Sequence, residues 1–502
     1  MTRIIQTEPD VSTTSLAYQA MEPEWAKINT VLAGTQSMRD AGQVYLPRHE
    51  NESQTQYDER LYGNFLWNMT DLTLRTWVGK PFAASVHYTE DFSPHLEPLL
   101  DDIDRAGSNT DVFCRAWFKA GLADAYSHVL VDYPRVNFFE GRSSETDEAE
   151  GIRPYAVHIP AENLIFAVSE REDGKEHLTH VRIREYVTSI DGWEEVIEEQ
   201  IKVLDLEWVY PDELTNDLTE AIRMVRVTIW VKEEKTGKWV ESHSFYMDID
   251  FIPIVTFYAD RTGFMTGKSP LLDLCDINIR HWQSMSDQIA ILTVARFPIL
   301  ACSGGNPEDE KLTIGPKEWL FCDDPTGKFY YVEHKGAAIE AGDKDISGLE
   351  SRMMVYGAEH MKKKPDRQTA SARNLDSSEA TSPLQDIVYR FNDALNTMFE
   401  MMSYWMNKQY KGKAFLPTDF TSPEASTLQA LYDTWKEGGL GTDQYLKELQ
   451  RRDVLDEHFD FTANEQAVKE RAAEIVAVEA ATAAATSAAT SQAVTKSEPE
   501  DD

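Results

Sequence analysis

Residues 271–297 read LLDLCDINIRHWQSMSDQIAILTVARF, directly after Pro270. The spacing predicts one helix of 27 residues, about 40 Å long at 1.5 Å per residue. Cys275, Trp282, Met285, Ile289 and Leu292 fall on one side of it, and Asp273, Asp276, Arg280, Ser284 and Asp287 fall nearly opposite. One face is written to pack and the other to stay wet.

Outward from this helix the pattern changes on both sides. Downstream, 298–345 reads as a small β module, with a strand at Pro298-Ile299-Leu300-Ala301, a turn at Gly304-Gly305-Asn306-Pro307 and a second strand at Phe329-Tyr330-Tyr331-Val332-Glu333. Helical signals return over 347–364 through Leu349, Met353, Tyr356 and Met361, and Pro365 stops them. The nearly apolar-free run 365–382 predicts a polar loop. A helix over 383–408 follows, carrying Ile387, Phe391, Leu395, Met398, Met402 and Trp405 on one stripe. A short strand at 414–416, a helix over 423–437 and one or two more to about 476 complete the pattern, and the Ala/Thr-rich acidic tail 477–502 predicts disorder.

Upstream, 13–34 and 54–78 carry helical spacing, and a helix over 111–126 leads into Val129-Leu130-Val131. The acidic run 139–152 reads as a solvated insert. From 155 to 258 β-branched and aromatic residues mark a succession of strands, at 155–157, 164–168, 178–186, 200–208, 224–231, 239–246 and 252–258. Residues 50–265 therefore predict one α+β domain.

Composition excludes several classes of function. The chain has 502 residues, with 49 Lys+Arg against 86 Asp+Glu and a formal charge of −37. Such a surface repels phosphate, which opposes coating nucleic acid but suits surrounding a duplex that must pass without sticking. Cys114, Cys275, Cys302 and Cys322 are widely spaced and signal neither a zinc knuckle nor a disulfide framework, so no metal or other cofactor is expected. No basic-then-apolar leader opens the sequence and no run approaches a bilayer span, which predicts a chain that is neither exported nor membrane-bound.

Catalytic motifs are weak. Gly263-Phe264-Met265-Thr266-Gly267-Lys268-Ser269 falls one residue short of a phosphate-binding loop, and Pro270 removes an amide that such a loop needs, so a tight strand-to-helix turn is the simpler reading. His177 and His180 point to opposite faces if they lie on a strand, and no G-x-S-x-G elbow occurs. The chain therefore reads as a non-enzyme. The clearest local reversal of charge is Lys362, Lys363, Lys364, Arg367 and Arg373 against a single Asp366. It reads either as favourable charge at a helix C-terminus or as transient contact with phosphate.

The order of these pieces resembles the portal proteins of tailed bacteriophages, within a portal-like family catalogued as a domain of unknown function. The likeness runs over about 15–410. It is carried by Tyr45-Leu46-Pro47 with the helical run after it, Val129-Leu130-Val131-Asp132-Tyr133-Pro134, Pro160-Ala161-Glu162-Asn163-Leu164-Ile165 and Ile252-Pro253-Ile254-Val255-Thr256-Phe257-Tyr258. Leu271-Leu272-Asp273-Leu274, His281-Trp282-Gln283-Ser284 and the loop around Glu379 extend it.

The resemblance implies an α+β portal fold in which 1–49 is an N-terminal helical arm, 50–265 a wing and 266–297 a first stem helix. Residues 298–345 would be a clip, 346–364 a second stem helix, 365–382 a channel loop, 383–420 the long wing helix and strand, and 421–476 a helical crown. It implies a homo-oligomeric ring of 12 copies at a capsid vertex, through which double-stranded DNA is packaged and ejected without sequence readout. Lys364, Arg367 and Arg373 would touch that DNA, Trp282, Met285, Ile289 and Leu292 would pack the stem, and Asp273, Asp276 and Asp287 would face lumen or solvent. Implied partners are a terminase, a major capsid or scaffold protein, and a head-completion or tail adaptor protein, with assembly in the host cytoplasm and residence in the virion. The alternatives are a capsid scaffold or adaptor without a channel, and a nucleotide hydrolase using 263–269.

Overall fold

Ser15 opens α1 (Leu16–Leu32), its Oγ accepting from the Tyr18 N–H at 3.1 Å, and Tyr18, Met21, Trp25, Ile28 and Val31 form the buried stripe. This is a computed structural model, and it describes residues 10–134, 151–209, 221–233, 235–296, 299–303, 326–332, 336–357, 370–418, 425–451, 454–455 and 459–471; over 370–382 it describes the backbone alone. After α2 (Thr35–Ala41), the single helical run expected over 54–78 is two helices, α3 (Gln54–Tyr62) and α4 (Met69–Gly79). Gly63 closes the first and Asn68 caps the second, its Oδ1 accepting from the Asp71 N–H at 3.0 Å. The apolar spacing ran across the break and concealed it. Beyond β1 (His87–Tyr88), the Asn109-capped α5 (Thr110–Asp124) turns through Ala125, at φ 74°, into β2 (Tyr126–Asp132).

The expected strands form as β3 (Tyr155–Ile159), β4 (Leu164–Glu172), β5 (Lys175–Asp191), β6 (Glu194–Val209), β7 (Ile222–Lys232), β8 (Trp239–Met247) and β9 (Ile254–Tyr258). They make two open antiparallel sheets, ordered β3-β2-β9 and β4-β5-β6-β7-β8. In the first, Val129 lies between His158 and Val255. Leu130 and Ile159 from this sheet share a core with Val181, Ile183, Leu204 and Val227 from the second. His180 belongs to the sheet rather than to a metal pair. Its Nδ1 lies 2.5 Å from an Asp205 oxygen, and its Nε2 accepts from Arg182 Nε at 2.9 Å.

The stretch that resembled a phosphate loop is a small hairpin, β10 (Arg261–Gly263) with β11 (Thr266–Gly267). Lys268 is paired with Asp273 at 3.2 Å, and the buried Ser269 hydroxyl donates to the Leu122 carbonyl at 2.9 Å. The deciding helix follows as α6 (Leu272–Arg296), within a residue of its expected ends. Next come β12 (Ile299–Ser303) and β13 (Lys328–Val332), paired from Ile299↔Val332 to Ser303↔Lys328.

Two boundaries differ from expectation. The helix expected over 347–364 is α7 (Ala337–Gly357), so it occupies the last part of what was read as the β module. It starts where Gly336, at φ 70°, turns the chain and accepts the Glu340 N–H at 3.0 Å. Gly342 and Gly348, poor helix formers, hid that start. The polar run read as a loop over 365–382 is helical from Ala370, and α8 (Ala370–Trp405) contains Pro383. Proline is a common first residue of a helix, which made 383 look like the beginning. Inside α8 it instead withdraws one backbone hydrogen bond.

From 384 onward α8 is the main beam of the core. Phe391 meets Phe82, Trp117, Phe118 and Phe257 with ring centroids 5.0–6.3 Å apart. Gly121 of α5 is required here, since a Cβ at that position would lie 2.4 Å from the Phe257 ring. On its other side α8 serves as a partner for β14 (Ala414–Phe415). The Asn396 amide bonds both the Ala414 N–H and C=O, at 3.0 and 2.8 Å, and Asn392 does the same for Leu416 at 2.8 and 3.1 Å. Two side-chain amides thus stand in for a neighbouring strand.

Residues 1–418 form one compact unit and 419–502 a second. In the second, α9 (Ala425–Lys436) and α10 (Thr442–Arg451) are joined by Trp435 stacking on Tyr445 at 5.0 Å. The acidic insert expected over 139–152 lies outside the described residues except at 151–152, and the tail 477–502 lies wholly outside. Among the described residues Cys114 and Cys275 are free, buried thiols, and no helix is long and apolar enough to cross a membrane.

Around β2 lie three buried titratable groups with opposing pH dependence. Burial raises the Asp124 carboxyl to about 7, Glu162 adds to the rise and a hydrogen bond from Asn29 opposes it. Burial lowers His128 to about 3 and His158 to about 4. The folded state holds the Asp124 proton more tightly than the unfolded state, so this group's contribution declines as pH rises from about 4 to about 7. The histidines act oppositely, and their contribution is lost as pH falls below about 6.5. Urea unfolding at pH 5 and pH 8 should show Asp124→Asn gaining stability relative to the parent between the two, on the order of 1–4 kcal/mol.

Candidate functional site: a helix pair carrying a hairpin

A helix with polar residues on two sides can be buried only if each buried polar group finds a partner. Along one side of α6 the N-terminal helices supply them. The Asn278 Oδ1 accepts from the Met69 and Thr70 N–H groups at 3.0 and 3.2 Å and from the Thr70 hydroxyl at 3.1 Å, while its Nδ2 donates to the Trp67 carbonyl at 3.0 Å. Asn278 is fully buried and so caps the N-terminus of α4 from another helix. Asn64 Nδ2 donates to the Trp282 carbonyl at 2.7 Å, Gln283 Nε2 to the Tyr45 carbonyl at 2.9 Å, and the Ser286 hydroxyl to the Arg60 carbonyl at 3.2 Å. All but the Thr70 hydroxyl bond run between a side chain and main chain, which fixes both the depth and the rotation of α6.

Ion pairs bracket this series. Lys27 holds Asp276 at 2.7 Å near one end. At the other, the buried Arg60 guanidinium binds both Glu52 oxygens at 2.8 and 2.9 Å, the Pro47 carbonyl at 2.8 Å and Asp287 at 3.2 Å. Arg60 holds the Glu52 carboxyl below its ordinary range, against the opposing effect of burial.

Along its other side α6 meets α7 in antiparallel register. Gln288 Nε2 donates to the Ile339 carbonyl at 3.0 Å, Ser284 Oγ to Asp345 at 2.8 Å, and Tyr356 OH to Asp273 at 3.1 Å, with His281 Nε2 lying 3.5 Å from Glu350. Leu274, Met353 and Met69 form one buried apolar cluster. His281 is fully buried, with its ring 5.6 Å from Trp67; burial lowers its pKa and Glu350 partly opposes this. The β12–β13 hairpin joins the C-terminal end of α6 to the N-terminal end of α7 and therefore sits at one end of the pair. At the other end Asp273 ties together Lys268 and Tyr356.

The residues singled out from sequence are divided by this geometry. Trp282 is fully buried, while Met285, Ile289 and Leu292 are only half-buried in the single chain. Asp273 and Asp276 are exposed and Asp287 partly so, yet each is already engaged within the chain, by Lys268 and Tyr356, by Lys27, and by Arg60. Lys364 and Arg367 lie outside the described residues, and Arg373 lies on helical backbone of α8 rather than on a loop. Arg60, Asn64 and Asn278 escaped the sequence reading. The available signal was an uncharged amide at 278, between the apolar positions 275 and 282.

Between α6 and α7 an open groove of about 390 Å³ is lined by Ile277, Ser351, Arg352, Val355 and Tyr356. Among the described residues no group of three or more His, Cys, Asp or Glu is placed to hold a metal ion.

Comparison with known proteins adds the following. Residues 270–406, which run from the start of α6 to the end of α8, match the model of a domain of unknown function, DUF4055. No curated protein matches the chain. Among solved structures, the chain is similar to one from the neck of an empty GTA particle computed with C6 symmetry, at 10% identity and a TM-score of 0.42, covering 83% of this chain and 98% of that one. A second, from the virion of a native gene transfer agent (GTA) particle, has 11% identity and a TM-score of 0.40 over 80% of this chain and 94% of that one. A third, from the neck of a native GTA particle computed with C12 symmetry, has 9% identity and a TM-score of 0.36 over 81% and 96%.

Asn278→Ala should strip the partners from two amides and a carbonyl at once. The expected loss is about 2–4 kcal/mol in chemical denaturation, well above the roughly 1 kcal/mol of a single exposed hydrogen bond. A loss near 1 kcal/mol would mean that α6 is not held in this way.

Proposed function

We propose that this chain is a portal protein, a ring-forming subunit at a capsid vertex that serves as conduit for double-stranded DNA and as docking platform for packaging and tail proteins. The observation that carries this reading is the antiparallel α6/α7 pair. It is bolted to the N-terminal helices along one side, leaves Met285, Ile289, Leu292 and Val355 incompletely covered, and presents a β-hairpin at one end. Partly buried apolar positions on a pair so firmly anchored suit contact with a neighbouring copy. In this reading α6 and α7 are the stem, 299–332 is the clip that docks a terminase and later a head-completion or tail adaptor protein, the two sheets belong to the wing, and 421–476 is the crown.

A net charge of −37 favours a lumen that slides along DNA rather than grips it. Because Asp273, Asp276 and Asp287 are engaged within the chain, lumenal acidity falls to other residues of the pair, such as the exposed Glu340 and Asp343. Lys364, Arg367 and Arg373 supply the transient phosphate contacts. The 358–369 segment between α7 and α8 carries most of that charge. Catalysis is not part of the role, and the force for packaging comes from a separate motor.

Purified full-length chain should form a closed ring with a central hole. Twelve copies of 57.2 kDa would weigh roughly 686 kDa by mass photometry, and a stable monomer or an open polymer would overturn the proposal. Arg367→Ala with Arg373→Ala should leave the ring intact and lower DNA packaging or retention. Unchanged packaging across a salt series would remove the phosphate-contact role.

A further inference from the structure

The β5–β6 hairpin is longer than the sheet that contains it. β4 pairs with β5 only as far as Leu164↔Ile183, and β7 pairs with β6 only from Gln200↔Val231. The two strands nevertheless stay paired with each other out to Asp191↔Glu194, across a two-residue turn in which Gly192 has φ 63°. Residues 184–199 therefore project as a two-stranded ribbon, and both of its outer edges are unpaired among the described residues.

A free ribbon of this kind is marginal in water unless it is covered. This one exposes large apolar groups: Trp193 at 103%, Ile190 at 81%, Ile197 at 64% and Tyr186 at 59%. Its pairing with β6 runs without a bulge, and it contains no proline, so it lacks two of the common devices that keep an open edge from recruiting another strand. The third device, charge, is present with a single sign. From 185 to 199 there are six carboxylates and no Lys, Arg or His. Glu185 and Glu199 are held by Lys202 and Arg184, whereas Asp191, Glu194, Glu195 and Glu198 are exposed.

The geometry points to a docking arm: the 186–197 ribbon takes an extended, lysine- or arginine-bearing segment of a different protein as an added strand, with Trp193 and Ile190 as its apolar anchors. Charge selects that occupant over a second copy. Two such arms would bring like charges together, and the whole chain carries the same sign. Main-chain hydrogen bonds along the open edge would supply affinity, and alternating apolar and basic side chains would supply selectivity. The inference does not rest on ring formation and stands for a monomer or a ring.

The test uses the full-length chain and a fluorescent twelve-residue peptide alternating Lys with Val. Its controls are a Glu-for-Lys version and a version N-methylated on alternate amides. Binding is read by anisotropy at physiological salt. The Lys peptide should bind. The Glu peptide should not, and N-methylation should abolish binding because it blocks strand pairing. Ile190→Ala with Trp193→Ala keeps every charge and should weaken binding about tenfold or more. Glu194→Lys with Glu195→Lys keeps the apolar anchors and should shift preference toward the Glu peptide. Equal binding by the I190A/W193A protein, or by the N-methylated peptide, would reduce the effect to general attraction of a polycation and overturn the proposal. A change in oligomeric mass on I190A/W193A would also overturn it, by making a second copy the occupant.

Discussion

Burying α6 is the constraint on which the rest of the fold depends. The helix cannot present a dry surface, since Asn278, His281, Ser286 and Gln288 are all buried along it. It is held in place because main-chain groups of the N-terminal region and of α7 meet Asn278, Ser286 and Gln288 at hydrogen-bond distance, while His281 lies 3.5 Å from the Glu350 carboxylate. Asn278 is the most consequential of these, because one amide satisfies the exposed start of α4 and fixes α6 at the same time. Once α6 is set, the antiparallel course of α7 and the position of the β12–β13 hairpin at the end of the pair follow from their contacts with it.

A second anchor works by the same chemistry on different elements. α8 carries the Phe391 aromatic cluster on one side, and on another the amides of Asn392 and Asn396 hold β14 as a strand would. In both places side-chain amides replace backbone partners. Removing one such residue leaves several buried groups unsatisfied, which costs more than the loss of the contact alone.

What the sequence made legible follows from how strongly each element repeats. The strands after 155 and the 384–405 stripe were readable because β-branched alternation and a 3–4 apolar spacing persist over many residues. The break between α3 and α4 was not, because Phe65, Leu66 and Trp67 kept the apolar spacing going across it. The start of α7 was hidden by two glycines, Gly342 and Gly348, and that of α8 by a proline that usually marks a beginning. At the candidate site, periodicity gave the burial of Trp282 but could not reveal that Asp273, Asp276 and Asp287 would find cations at Lys268, Lys27 and Arg60. Those partners are distant in sequence or belong to other elements, and spacing within one helix says nothing about them.

The helix pair has one side bolted to its own chain and another incompletely covered, and the proposed ring places copies of it side by side around an axis. A three-dimensional image of the assembled full-length chain at helix-resolving detail tests this most directly. Adjacent α6/α7 pairs should line a central opening, with Ile289, Leu292 and Val355 at the contacts between copies. Pairs enclosed within a self-contained monomer, or turned away from any common axis, would contradict it.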